Sequence, residues 1–195
     1  QGLCRNTNLL VYNASNEWVL ILNDDNVAPK GYDTKLGIFT NQTNCVITPN
    51  QMEPTPSMFS QFSINNLGRD PKTFDLEKFW EAAEEASHNT VSFTGSTLPI
   101  FVRKLDFIKI GGWDENYPSN GIVADWDYFV KCNLSGMEMI RAYNCHFYHF
   151  VSLSVNNTEE NNNKRQRDEQ SAHMYAKYKW GDFIKHNPEN NLKYI

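Results

Sequence analysis

The stretch Trp18-Val19-Leu20-Ile21-Leu22-Asn23-Asp24-Asp25-Asn26 decides the fold class. Its first five residues have the length and β-branched content of a buried strand. Four hydrogen-bonding side chains follow at once, two of them acidic. A strand ending in adjacent carboxylates places them at the carboxyl edge of a sheet, where open α/β sheets bind their ligands. Carboxylate oxygens are hard donors suited to Mg2+ or Mn2+. The plain alternative is an Asx turn after a strand, and Asn and Asp are common there for their local hydrogen bonding.

Outward from that stretch, strands and helices alternate, which predicts an α/β fold: a mixed sheet flanked by helices. Residues 2–14 are compatible with an amphipathic helix, and 17–22 with a strand. A short helix is expected around 32–37, after Pro29-Lys30-Gly31. Cys45-Val46-Ile47-Thr48 reads as a strand ended by Pro49. Residues 50–70, rich in Pro, Ser and Asn, read as a long irregular segment and a candidate lid. A helix at 75–87 buries Leu76, Phe79, Trp80 and Ala83. Strands are expected at 91–94 and 98–102, and a helix at 104–110 capped by Gly111-Gly112. A helix at 124–134, short strands near 137–142 and 145–150, a polar tract at 155–164 and a helix at 166–179 complete the chain.

The 195 residues fit one domain, 1–195, whose last portion, 155–195, is a polar linker and helix. Hydrophobic content of 40% is enough for a sizeable core. A net charge of −5 offers no basic field for nucleic acid. No run approaches membrane-spanning length and no signal peptide is visible. Cys4, Cys45, Cys132 and Cys145 are irregularly spaced, so free thiols are expected, not a zinc site or a disulfide framework. A cytoplasmic location is expected, with any membrane association made through a partner or a missing segment. The N-x-S/T triplets at Asn13, Asn41, Asn133 and Asn156 arise readily by chance in so Asn-rich a chain.

Three further groups can carry chemistry. Gly111-Gly112-Trp113-Asp114-Glu115 is either a cap with an acidic turn or a pocket wall. Asp125-Trp126-Asp127 opens a helix, where carboxylates gain from the macrodipole and can cap N–H groups. Either acid there could instead be a general base for a hydroxyl. His149, near the end of a strand, could complete an Asp-based metal site.

Taken in order, these pieces resemble the inverting nucleotide-sugar glycosyltransferases of the GT-A fold, in their family 2 branch. The resemblance rests on Arg5-Asn6, WVLILNDDN, KLDFIKIGGWDENY, ADWDYFVKCNLSG, HFVSLS and SAHMYAKYKWG. It implies a Rossmann-like GT-A sheet and transfer of a sugar from a nucleotide-sugar donor to a glycan, lipid-linked or protein hydroxyl. It implies Mn2+ or Mg2+ at Asp25 and His149, with Asp125 as base. Arg5, Asn23 and Asp24 would bind the donor. Gly112, Trp113, Asp114, Glu115, Trp126 and Asp127 would shape the acceptor and sugar pocket. Two positions depart from the family pattern: Asn23 replaces the first Asp of the metal motif, and Ala124 the Glu before the base. The β-α-β portion that holds the nucleotide base in relatives is expected to be missing ahead of Gln1. An inactive binding relative is the second expectation, and a metal-dependent phosphohydrolase the third.

Overall fold

A computed structural model describes residues 2–56, 62–95, 97–118, 121–151 and 159–181. Their helices are α1 (Leu3–Asn13), α2 (Tyr32–Gly37), α3 (Leu76–Ala86), α4 (Lys104–Lys109), α5 (Ala124–Leu134) and α6 (Glu159–Trp180). The strands are β1 (Trp18–Ile21), β2 (Asn26–Val27), β3 (Cys45–Glu53), β4 (Ser63–Ile64), β5 (Val91–Ser92), β6 (Ile100–Arg103) and β7 (Glu138–His149). They form one mixed seven-stranded sheet with the path β1-β6-β3-β7-β2; β4 adds to β3 and β5 to β7.

The sheet curls, and the opening stretch shows why. β1 and β2 lie at opposite ends of the path, yet only Leu22–Asp25 separates them in sequence. Five extended Cα steps reach at most about 18 Å, whereas four flat strand spacings need about 19 Å. Residues 23–26 also form a tight turn, with Asn26 N donating to the Asn23 carbonyl at 3.3 Å. A flat sheet is therefore out of reach.

The parallel pair β3–β7 is the centre of the molecule. Its ladder runs from Cys45–Glu138 to Met52–Tyr148, with a register shift between Pro49 and Asn50. This corrects two expectations. Pro49 does not end the strand, because a proline is tolerated where an irregularity interrupts the ladder. The two short strands expected near 137–142 and 145–150 are one strand, and the gap between them is where the register shifts. The irregular segment expected from residue 50 accordingly begins in strand. Its residues 57–61 lie outside the described residues.

Alternation along β3 and β7 sends Val46 and Met139 to one face and Ile47 and Ile140 to the other. The first face is covered by α5, through Tyr128, Phe129 and Cys132, and by Phe107 of α4 and Val11 of α1. Leu36 and Phe39 cover the second. A third cluster seats Phe79 and Ala83 of α3 on Met52, Tyr148 and Phe150. Asp75 caps α3 by accepting from Lys78 N at 3.1 Å. α6 begins at Glu159, earlier than expected, so part of the polar tract is helical; residues 152–158 of that region lie outside the described set. All four cysteines are free and buried. Among the described residues no helix is long and apolar enough to cross a membrane.

Candidate functional site

β3 and β7 run parallel and end together, and the last residue of β7 lies beside the turn 23–26. β3 ends at Glu53 and β7 at His149, whose register partner on β2 is Asn26. The turn is held by Asn23 N donating to Asn26 Oδ1 at 3.2 Å, and by Phe150 N donating to the Asp25 carbonyl at 3.1 Å. Asn23-Asp24-Asp25-Asn26 is thus a true turn and, at the same time, the element that presents Asp25. Asp24 is exposed, while the Asp25 side chain is only 12% exposed.

The His149 imidazole lies between two carboxylates. Nδ1 is 2.8 Å from Glu53 Oε1, and Nε2 is 3.4 Å from Asp25 Oδ2. Burial pulls the imidazolium down, but hydrogen bonds to Asp25 and Glu53 outweigh it and hold the group at about 9. Glu53 was not among the residues read from the sequence. Its signal was hidden by Pro49, which made the strand look five residues shorter than it is.

A carboxylate on one imidazole nitrogen fixes the ring and directs the other nitrogen toward a metal. Glu53, His149 and Asp25 stand in that relation. Mg2+ and Mn2+ sites commonly use one or two protein ligands and complete their shell with water and substrate phosphates. Asp25 Oδ2 and His149 Nε2 are the pair that could take up such a cation, and the imidazolium would have to give up its Nε2 proton to do so. Among the described residues, no group of three or more His, Cys, Asp and Glu side chains is arranged as a metal cage of its own.

The second acidic region is built by three helices. From α1, Asn8 pins the Gly112–Glu115 turn: its Oδ1 accepts from Trp113 N at 2.9 Å, and its Nδ2 donates to the Trp113 carbonyl at 2.8 Å and to Glu115 Oε1 at 3.0 Å. Gly112 has φ +56, and a Cβ there would meet Asn8 Oδ1 at 2.6 Å. Any larger residue would be strained at that φ and would push the Asn8 amide out of its contacts with the turn. Trp113 is buried; Glu115 is exposed.

From α6, Lys179 reaches Asp114 at 2.6 Å and Asp127 at 2.7 Å, Tyr175 OH donates to Asp114 at 3.1 Å, and Trp180 Nε1 donates to Asp127 at 2.7 Å. Lys131 adds a contact to Asp127 at 3.4 Å and donates to the Gly112 carbonyl. Burial opposes ionisation of Asp114, yet Lys179 and the Asn116 N–H bring its carboxyl down to about 2. Asp127 has no exposed surface. Asp114 and Asp127 therefore hold α6 in place, and Asp127 is closed off from solvent. Trp126 is half-buried, its ring 5.5 Å from that of His173.

Asp125 differs from both. It stands in the first turn of α5 and is half-buried. Desolvation raises its carboxyl to about 6, against the lowering effect of the Trp126 and Asp125 N–H groups. The residue that enters the helix, Val123, has φ +68, an uncommon conformation for a β-branched side chain. Such strain gathers at functional sites. Of the two acids in the first turn of α5, Asp127 is enclosed and paired, and Asp125 keeps some exposed surface, with its carboxyl raised by desolvation. Arg5 is on the exposed side of α1.

Asp25, Glu53 and His149 thus form one group, and Asp114, Asp127, Lys131, Lys179 and Trp180 another, with Asp125 beside the second. No family model and no curated protein matches this chain.

Proposed function

We propose that this chain is a GT-A-type glycosyltransferase that moves a sugar from a nucleoside-diphosphate sugar to a hydroxyl acceptor, with inversion at the anomeric carbon. The observation that carries the reading is the Asp25–His149–Glu53 group at the shared carboxyl end of β3 and β7. It pairs a hard oxygen donor with an imidazole already oriented by a second carboxylate.

The reaction is a single displacement. The acceptor oxygen forms a bond to the anomeric carbon as the bond to the diphosphate oxygen breaks. The acceptor proton passes to Asp125, whose carboxyl at about 6 is suited to a base working near neutral pH. A divalent cation, Mn2+ or Mg2+, bound at Asp25 and His149 would neutralise charge on the departing diphosphate. Glu53 keeps the imidazole oriented. Asn23 and Asp24 flank the donor side, with Arg5 as a further donor contact. Gly112, Trp113 and Glu115 form the acceptor-side wall, which Asp114, Asp127 and α6 support from behind. Four buried free thiols fit a reducing compartment such as the cytoplasm.

The second reading is a glycosyltransferase-like binding protein without turnover. It is favoured by the neutral Asn23 and by the missing acid at Ala124. One experiment separates the two. The protein is given a panel of nucleotide sugars with Mn2+, and both donor hydrolysis and transfer are scored. Transfer that needs Mn2+ and is lost in Asp125→Asn supports the enzyme. Nucleotide binding without turnover supports the binding protein. Metal-dependent phosphate release without any acceptor would support a hydrolase.

A further inference from the structure

Arg141 is in the middle of β7 and has no exposed surface. Among the described residues no carboxylate pairs with it. Its Nη2 makes two long contacts, 3.4 Å to the Thr94 carbonyl and 3.3 Å to Thr97 Oγ1. Its Nε and Nη1 are buried without a partner. The Phe62 ring lies 5.4 Å from the guanidinium carbon.

The neighbours of Arg141 repeat the pattern. Thr48 is its register partner on β3, so the two side chains share a face of the sheet. Thr48 Oγ1 is also buried and unpartnered. Thr97 is buried as well. The segment before it closes tightly over β7: a Cβ on Gly95 would meet the Ile140 carbonyl at 2.6 Å. Gln51 Nε2 donates to the Leu98 carbonyl and holds the same segment from β3.

A buried guanidinium cannot escape its charge by losing a proton at neutral pH. Burial lowers Arg141 only to about 10. An uncompensated buried ion costs several kcal/mol even after relaxation. Two unpartnered guanidinium nitrogens and an unpartnered hydroxyl, on register partners of adjacent strands, are therefore buried donors lacking an acceptor. The acceptor that best offsets both charge and lost hydrogen bonds is an anion with several oxygens.

We propose that Arg141, Thr48 and Thr97 form a binding site for one small oxyanion, a carboxylate or a phosphate group. Arg141 supplies the charge and the Nε and Nη1 donors, and the two threonines supply hydroxyls. A neutral hydroxyl ligand satisfies the hydrogen bonds and leaves the charge. The site shares no residue with the Asp25–Glu53–His149 group and does not depend on glycosyl transfer.

The test uses the full chain and two readouts, thermal unfolding and titration calorimetry. Sodium phosphate is compared with sodium chloride at equal ionic strength, and glucuronate with glucose. The expected result is a higher melting temperature in phosphate or glucuronate than in the matched controls, with saturable binding. Arg141→Met and Thr48→Val should each weaken that binding by about tenfold or more, the loss expected when a charged or buried partner is removed. Glucuronate bound more tightly than phosphate assigns the anion to an acidic sugar; the reverse order assigns it to a phosphate. No response beyond the controls, or an equal response in wild type and both variants, overturns the proposal. Should Arg141→Met fail to fold, Thr48→Val, which exchanges a hydroxyl for a methyl, decides alone.

Discussion

Glu53 fixes the orientation of the His149 imidazole, which on the proposed reading is a metal ligand. It holds Nδ1 at 2.8 Å and leaves Nε2 to Asp25. Removing such an outer carboxylate costs metal affinity by about 10–100-fold in comparable sites. Glu53→Ala should therefore weaken Mn2+ binding by that order, measured by electron paramagnetic resonance titration, while Asp25→Ala removes it. Equal Mn2+ affinity in wild type and Glu53→Ala would separate Glu53 from the site. Asp125→Asn should lower transfer by about 10²–10⁴-fold, as loss of a general base does, and leave nucleotide affinity nearly unchanged in calorimetry. The sequence singled out Asp25 and His149 because one stands just past the apolar run 18–22 and the other near the end of the strand expected at 145–150, and the structure brings the two together. Glu53 ends β3, but Pro49-Asn50-Gln51 carries no apolar pattern that would extend the strand to it. Arg141 was not legible, since a single cation between Ile140 and Ala142 says nothing about what lies above it.

At the scale of elements, α6 is attached by charge as well as by the apolar contacts of Ala172, Ala176, Tyr175 and Trp180. Lys179 bridges Asp114 and Asp127, and Trp180 donates to the same Asp127. Breaking a buried pair by deleting one partner strands the other charge, at a cost of about 3–5 kcal/mol. Lys179→Ala should lose stability of that order in urea unfolding, more than Lys177→Ala on the same helix. The attachment also carries a pH signature. Asp114 has a folded pKa of about 2, below its unfolded value, so its stabilisation is complete above the unfolded value and is lost as pH falls through about 2. The contribution is about 2 kcal/mol. Asp114→Asn should flatten the acid limb of the stability curve between pH 4 and 2, followed by urea midpoints. The sequence located all six described helices, α3 most closely because its cap and apolar face are local, and it missed the first turns of α6, whose polar residues 159–163 carry no apolar pattern. It placed Asp114 and Asp127 on a pocket wall because nothing local reveals which side of a carboxylate a later helix will cover.

At the scale of the whole molecule, the sheet is assembled from distant parts. β3 and β7 are about ninety residues apart in sequence, a separation that slows folding because loop closure precedes the reward of pairing. β7 is bonded to β3, β5 and β2, so four of the seven strands depend on or include it. A fragment ending at Leu134 should show no cooperative unfolding transition by circular dichroism, despite containing five of the six described helices. A cooperative transition in that fragment would mean that β7 is dispensable. The mixed α/β class was readable from alternating elements, whereas the curl was not. It follows from the order of strands across the sheet, which no local pattern encodes.

The position of β7 also sets a timetable for the growing chain. β3 leaves the ribosome complete about 5–20 s before β7 does, at ordinary rates of synthesis. For that interval Val46 and Ile47, which have no exposed surface in the finished protein, have no parallel neighbour to pair with. A nascent chain of this kind is a natural client for holding chaperones. Its yield should depend on them more than on the stability of the finished fold.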